Sequence, residues 1–333
     1  MGTSRRILTA LALLSAVAAS ACSGGRDALT IYSGRDEALV GPVLEDFVDE
    51  TGIDVDIRYG DSGELALLLN QEGDKTRADV FLSQSPGPTA AVAAEGGLAE
   101  LPSGTLELVD ERWRGAGGRW VGVTARQRVL VYNSEMVAED ELPESVFDLV
   151  EPEYEGRVAV APTNASFQDF VTAMRETEGD GATQEWLEGM AANGAQTYAD
   201  NSSIVAAVGR GEIPMGLVNH YYNYRALEED PSLPTRNYVF PPDDLGSLLI
   251  DSTVGILDTT DHRDDAELFV EYLLDREAQE FFSRETFEYP LADGAAASEE
   301  LPPLEELEGP DVDLTALDDL EATARLIEDS GLL

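Results

Sequence analysis

Residues 28–60, ALTIYSGRDEALVGPVLEDFVDETGIDVDIRYG, set the architecture that we expect of this chain. The first seven residues predict a buried strand. Apolar side chains then recur at helical spacing, at Leu39, Val43, Leu44, Phe47 and Val48. From Ile53 the chain alternates apolar and polar residues, which is typical of a half-buried strand. Strand, helix and strand in this order predict a βαβ unit with parallel strands.

The alternation of strands and helices continues beyond this unit. Helical patterns around residues 63–70 and 89–95 flank a predicted strand that begins at Ala78, which completes an α/β lobe. A second strand-and-helix series begins at residue 156 and predicts a second α/β lobe. We expect one helix over residues 264–284 and an amphipathic C-terminal helix from residue 314.

Two long apolar stretches, residues 120–133 and 245–257, have the pattern of extended strands. Each joins one strand-and-helix series to the other. We therefore expect them to form paired crossovers between the two lobes.

The composition is strongly acidic. The 333 residues hold 66 Asp and Glu against 21 Lys and Arg, for a formal net charge of -45, and Lys75 is the only lysine. Nucleic acids and anionic membrane surfaces are therefore poor partners. Such a surface suits a protein that stays hydrated in concentrated salt, where screening reduces self-repulsion. A surface that collects cations is the alternative, although scattered carboxylates select no particular cation.

The N-terminus has the pattern of an export signal. Arg5 and Arg6 precede an apolar run, and small residues lead to Cys22, the only cysteine. We expect a signal peptide over residues 1–21, lipidation of Cys22 and a short tether over residues 22–27. The mature protein would then be extracytoplasmic and anchored by lipid to the outer face of the cytoplasmic membrane. Ordinary secretory cleavage and twin-arginine export remain alternatives.

The sequence lacks the motifs of most common metal-binding, nucleotide-binding and catalytic sites. One cysteine and two histidines distant in sequence exclude Cys-rich metal sites and a helical histidine pair. Phosphate-binding, dinucleotide-binding and serine-hydrolase glycine motifs are absent as well. A secreted hydrolase that uses paired carboxylates stays open, but 66 acidic residues make such pairs uninformative.

Residues 216–227, GLVNHYYNYRAL, place Tyr221 and Tyr222 at a predicted junction of strand and helix. In the first helical turn, neighbouring side chains diverge by about 100°, so two long side chains can converge on one atom. A helix N-terminus favours the negative charge of phenolates. Because free tyrosine has a pKa of about 10, ionising both side chains requires a strong Lewis acid such as Fe(III). Core packing of one ring, with the others lining a cleft, is the alternative.

The chain resembles the ferric-ion-binding proteins that deliver iron to bacterial ABC importers. The similarity extends in order over residues 29–333 through TIYSGRDEALVGPVLEDFVDETGI, ADVFLS, RQRVLVYN, APTNASFQDFV, YADNSSIVAAVGRGEI, VNHYYN and EYPLADG. It implies the type II periplasmic binding protein fold, an α/β fold in which two lobes joined by crossing strands hold ligand in the interlobe cleft. The expected lobes are residues 28–125 with 250–300, and residues 126–249 with 301–333.

The resemblance also implies a function. Tyr221 and Tyr222 would bind Fe(III), and Asp36 and Gln84 occupy the places of two further family ligands. The protein would be a monomer that binds without catalysis and delivers iron to an ABC transporter permease. An organic or inorganic anion, or an iron chelate, is the alternative ligand for the same fold.

Arg35 makes the chain similar to relatives that complete the metal shell with carbonate or a similar anion. The matching family positions give the anion-binding candidates Arg35, Arg126, Ser166, Asn201 and Asn219. We expect Arg126, rather than Arg128, to face the cleft. Tyr32 and Tyr224 are lesser candidates for the metal, and His220 is expected to form hydrogen bonds rather than bind the metal.

Overall fold

The computed structural model describes residues 28–307, 309–310, 312–313 and 320–333. The predicted signal peptide, Cys22 and its tether lie outside the described residues. The predicted C-terminal helix is described over Leu320–Asp329. Among the described residues, every helix is too short or too polar to cross a membrane.

Strands and helices alternate along most of the chain. In chain order the strands are β1 (Leu29–Ser33), β2 (Val55–Tyr59), β3 (Val80–Ser83), β4 (Trp120–Asn133), β5 (Val158–Val160), β6 (Gln196–Thr197), β7 (Met215–Asn219), β8 (Thr235–Tyr238), β9 (Leu249–Ile256) and β10 (Tyr289–Pro290). The helices are α1 (Glu37–Thr51), α2 (Ser62–Glu72), α3 (Pro86–Ala94), α4 (Ser103–Leu106), α5 (Ala165–Ala192), α6 (Asn201–Gly209), α7 (His220–Glu229), α8 (Arg263–Leu273), α9 (Arg276–Glu285) and α10 (Leu320–Asp329).

The strands form a continuous path in the order β2-β1-β3-β9-β4-β7-β5-β6, and β8 and β10 also pair with β4. Strand β1 is parallel to β2 and β3, as the βαβ pattern predicts. Strand β5 is likewise parallel to β6 and β7. The α/β fold class expected from the sequence is confirmed, because each half has parallel strands joined through helices.

Strand β4 joins the two halves of this sheet. From Trp120 to Gln127 it pairs antiparallel with β9, whereas from Arg128 onward it pairs with β7 and β8. All its residues are buried, as its long apolar pattern suggests. The change of partner lies close to the lobe boundary expected at residues 125/126, and the boundaries themselves stay a prediction. Residues flanking this change of partner are therefore well placed to contact both halves.

Helices pack on the sheet through apolar faces and aromatic contacts. In the first half, the Phe47 ring on α1 meets Phe269 on α8 edge to face, with centroids 5.1 Å apart. In the second half, Phe170 and Trp186 on α5 make a similar contact at 5.7 Å. In each half, residues of these helices share an apolar core with residues of the strands.

The single helix expected over residues 264–284 is wrong, because the structure has two helices there. Helix α8 ends at Leu273 and α9 begins at Arg276. Asp275 caps α9, since its carboxylate accepts a hydrogen bond from the backbone N–H of Ala278 at 2.9 Å. A short polar side chain that bonds to the backbone favours a helix start over a helix interior, and apolar spacing alone missed this.

Candidate functional site

The two adjacent tyrosines lie at the start of α7. Strand β7 ends at Asn219 and α7 begins at His220, which places Tyr221 and Tyr222 in the first helical turn. Their rings are stacked, with centroids 4.2 Å apart and planes inclined by 29°. Tyr221 is fully buried and Tyr222 is 8% exposed. The expected strand-to-helix junction is therefore present.

The phenol groups are held in their neutral form by burial. Burial raises the pKa of Tyr221 well above its ordinary value, and proximity to Tyr222 raises it further. Burial also raises the pKa of Tyr222, while the approach of the Tyr221 hydroxyl lowers it less strongly. The two hydroxyls approach each other without regular hydrogen-bond geometry, and that of Tyr221 has no hydrogen-bond partner among the described residues. Two polar oxygens thus converge on one region, and one of them is unsatisfied.

Arg35 approaches the tyrosines from the loop between β1 and α1. It is 2% exposed and forms an ion pair and hydrogen bond with Glu288, which is fully buried. Burial opposes the charge on Arg35, but Glu288 and then Tyr221 outweigh it, so the pKa of Arg35 is raised. Arg35 therefore stays charged beside the phenols.

Arg126 and Arg128, both on β4, lie close enough to the tyrosines to interact with them electrostatically, and the expectation that only Arg126 faces the cleft stays a prediction. Arg126 donates to the Ser166 hydroxyl at 3.2 Å, and Arg128 donates to the side-chain oxygen of Asn219 at 3.0 Å. The Asn219 amide in turn donates to Ser166 Oγ at 3.1 Å. Residues two apart in a strand share a face, so both side chains extend to the same side of β4.

The three arginines have unused donors within the described part of the chain. Buried N–H groups without a hydrogen-bond partner are Arg35 Nη1, Arg126 Nε and Nη1, and Arg128 Nε and Nη2. Burial lowers the pKa of Arg126, and burial followed by repulsion from Arg126 lowers that of Arg128 to about 9. Buried unpaired donors on neighbouring cations favour an anion as their missing partner.

A cavity of about 470 Å³ borders this cluster at Arg35. The predicted site residues among those that line it are Arg35, Asp36, Gln84 and Tyr222. Asn164 and Asp200 line it from the second half of the chain. Asn201 bonds to Asn164 at 3.2 Å, so it supports the wall of the cavity.

The remaining candidates have other contacts. The Tyr32 hydroxyl donates to Glu72 at 3.2 Å, and the Tyr224 ring stacks on Phe287. His220 is buried, and burial lowers its pKa to about 4, so the ring is neutral. Among the described residues, no cluster of three or more His, Cys, Asp and Glu side chains could hold a metal ion.

The sequence patterns do not identify Glu288, and they favour Arg126 over Arg128. Glu288 is 253 positions from its partner Arg35, and no local pattern relates them. Its only signal was its place at the start of EYPLADG, one of the stretches that carry the family resemblance. Arg128 had a signal, the two-residue spacing from Arg126, which indicates a shared strand face.

The comparisons with known proteins identify the family. The family model described as "Bacterial extracellular solute-binding protein" matches residues 75–313. The chain belongs to this family. It is 34% identical to the "Fe(3+)-binding periplasmic protein" of Serratia marcescens, over 98% of this chain and 96% of that protein.

Two further proteins show the same likeness. The "Major ferric iron-binding protein" of Neisseria gonorrhoeae is 31% identical, over 96% of this chain and 98% of its own length. The crystal structure of iron-bound HitA from Pseudomonas aeruginosa has a TM-score of 0.87 and 35% identity, and covers 92% of this chain and 99% of HitA. The similarity therefore extends over nearly the whole chain and confirms the type II periplasmic binding protein fold.

Asp169 on α5 is a buried acid behind the arginine cluster. Its carboxylate oxygens have no regular hydrogen-bond partner among the described residues. Burial raises its pKa from 3.8 to about 7, although the Ser85 hydroxyl and Arg126 favour the charged form. The folded protein therefore retains a proton that the unfolded chain loses near pH 4.

We predict that Asp169→Asn weakens the dependence of stability on pH. In the wild type, the stability that protonated Asp169 contributes is fully present below its unfolded pKa near 4. It is lost as pH rises through about 7, because the folded state binds the extra proton. The variant should therefore gain relative stability between pH 4 and 8, by a few kcal/mol at roughly 1.4 kcal/mol per pKa unit. Urea unfolding of the iron-free protein at constant salt measures the difference.

The matched control for this comparison is Asp140→Asn, a change at an exposed position. It should follow the wild type at every pH. An Asp169→Asn variant whose stability parallels the wild type from pH 4 to 8 would contradict the argument.

Proposed function

We propose that this protein binds one Fe(III) ion through the phenolate oxygens of Tyr221 and Tyr222. The observation that carries the proposal is the stacked, buried pair whose Tyr221 hydroxyl lacks a hydrogen-bond partner among the described residues. Similarity over nearly the full length to proteins named for ferric iron supports it. The ion is cargo, captured and released without a catalysed reaction.

The electrostatics of the pair favour a highly charged ion. Burial keeps both phenols neutral in the iron-free protein. Metal binding releases the protons, because a phenolate is the form that ligates. Arg35 and Arg126 each favour the phenolate form of Tyr221. The site therefore selects a strong Lewis acid over the weaker divalent ions.

An anion completes the proposed site. The unpaired N–H groups of Arg35, Arg126 and Arg128 are buried beside the tyrosines. A carbonate or similar planar oxyanion can accept bidentate bonds from guanidinium groups and still offer oxygen to iron. Asp36 and Gln84 line the cavity and supply the remaining protein oxygens, with Asp36 the stronger ligand because it is charged.

Capture of iron and anion would couple the two halves of the chain. Arg35, Asp36 and Gln84 come from the first half, whereas the tyrosines, Ser166, Asn201 and Asn219 come from the second. Ligand contacts made to both halves at once favour a closed arrangement by a population shift. A closed protein would then deliver its cargo to an ABC transporter permease.

Binding of an anion without iron is the second candidate function. The observation that favours it is the number of unpaired arginine donors, which an organic anion, a phosphate-like ion or an iron chelate could also satisfy. Anion binding without iron would not need the tyrosines. Replacing Tyr221 and Tyr222 by phenylalanine therefore distinguishes the two functions.

We predict that the wild type develops a visible tyrosinate-to-iron charge-transfer band when ferric salt and bicarbonate are added. The double variant Tyr221→Phe, Tyr222→Phe should lose the band, because no phenolate remains to donate charge. Tyr224→Phe is the matched control and should keep it, since that ring stacks on Phe287. A colourless wild type, or undiminished colour in the double variant, would contradict iron binding by the pair.

Iron affinity should fall by roughly tenfold to a hundredfold when bicarbonate and other small anions are removed. That range corresponds to one or two lost hydrogen bonds to charged groups. Arg126→Gln should reduce the dependence on bicarbonate, whereas Arg112→Gln, at an exposed position, should leave it unchanged. Competition with a chelator measures the affinity. Equal affinity with and without bicarbonate would argue against the anion.

Lipid anchoring at Cys22 is proposed from the sequence of the export signal. Cys22→Ala should move the exported protein from the membrane fraction to the soluble fraction, with unchanged iron binding. Cell fractionation and immunodetection measure this. Unchanged membrane association of the variant would contradict lipidation at this residue.

A further inference from the structure

Both ring nitrogens of His220 are bonded within the fold. Nδ1 accepts a hydrogen bond from the backbone N–H of Gln127 at 3.1 Å, and Nε2 lies 2.7 Å from the carbonyl oxygen of Phe287. A carbonyl can only accept, so Nε2 carries the proton and Nδ1 is the acceptor. The two partners therefore fix both the tautomer and the orientation of the ring.

These two bonds join three parts of the molecule. Gln127 is the last residue of β4 that pairs with β9, immediately before the strand changes partner. Phe287 directly precedes Glu288, which holds Arg35. His220 directly precedes Tyr221. The imidazole thus connects the start of α7 to the crossing strand and to the segment that positions Arg35.

Aromatic packing holds the same ring in place. The Tyr289 ring stacks on His220, with centroids 5.0 Å apart and planes inclined by 29°. The Tyr221 ring meets His220 edge to face at 5.9 Å. Phe287 has a positive φ of 57°, uncommon for a residue other than glycine. The Tyr224 ring stacks on Phe287 at 5.6 Å. Rotation of the His220 ring would disturb its contacts with Tyr289 and Tyr221.

We infer that His220 is a positioning residue for metal binding. Because it bonds to both Gln127 and Phe287, it sets the direction in which the side chains of Tyr221 and Tyr222 project from α7 relative to Arg35. The inference rests on the proposed function, since it concerns the geometry of the same iron site. Residues that orient metal ligands typically change metal affinity by 10-fold to 100-fold when they are replaced.

The chemistry of imidazole suits this role. Its ring is rigid and presents an acceptor and a donor at two different distances from the backbone. An asparagine oxygen can take the place of Nδ1 but its amide falls short of Phe287. A glutamine amide can take the place of Nε2 but leaves the N–H of Gln127 without its bond. Phenylalanine retains the stacking and removes both bonds.

The test compares His220→Asn, His220→Gln and His220→Phe in the full mature protein. Ferric salt with bicarbonate is added, and the position of the charge-transfer band and the affinity against a chelator are measured. We expect His220→Phe to shift the band and to lose 10-fold to 100-fold in affinity, with smaller losses in the other two variants. His262→Asn, at the other histidine of the chain, is the matched control and should retain wild-type values.

The outcomes separate this inference from the proposed function. A colourless wild type would overturn iron binding itself. A coloured wild type with the same band and affinity in all three variants would overturn the role of His220. An affinity loss with an unshifted band would also overturn it if the unfolded fraction of the iron-free variant accounts for the whole loss. That result would indicate an effect on stability alone. If His220→Phe fails to fold, the Asn and Gln variants decide by the same criteria.

Discussion

Burial of charge beside two phenols is the constraint on which the site depends. Arg35, Arg126 and Arg128 are almost fully removed from solvent, and only part of their hydrogen-bonding capacity is used within the described residues. Tyr221 and Tyr222 are buried among them in neutral form. Bringing unpaired donors and unionised phenols together is unfavourable unless a ligand satisfies both. In the proposed function, Fe(III) ionises the phenols and an anion accepts hydrogen bonds from the arginines. Binding of either ligand then makes binding of the other more favourable.

The fold supplies this arrangement through β4. The strand pairs with β9 in its first part and with β7 in its second, so Arg126 and Arg128 lie where the halves of the sheet meet. Strand β7 leads directly into the tyrosines, and β10 follows the residue that holds Arg35. A small change of angle at β4 would therefore move the arginines, the tyrosines and the Glu288 segment relative to one another. His220 bonds to both β4 and that segment, and so joins them to the start of α7.

Local patterns were sufficient to predict the α/β fold and the junction that carries the tyrosines. Periodicity located β4 over residues 120–133, and the strand-to-helix change at Asn219 placed both rings in one helical turn. Long-range contacts were not accessible in the same way. Glu288 contacts Arg35 across 253 positions, and this pair depends on the tertiary fold. The break at Asp275 was missed for the opposite reason, because a local capping bond overrides a continuous apolar pattern.

Anomalous diffraction at the iron absorption edge, from crystals grown with ferric salt and bicarbonate, tests the central claim most directly. A protein of net charge -45 could also bind iron on its surface carboxylates, so the position of the strongest peak is decisive. We predict that this peak lies within bonding distance of both phenol oxygens of Tyr221 and Tyr222, with anion density against Arg35 and Arg126. A strongest peak on surface carboxylates, with the tyrosine oxygens still unligated, would contradict it.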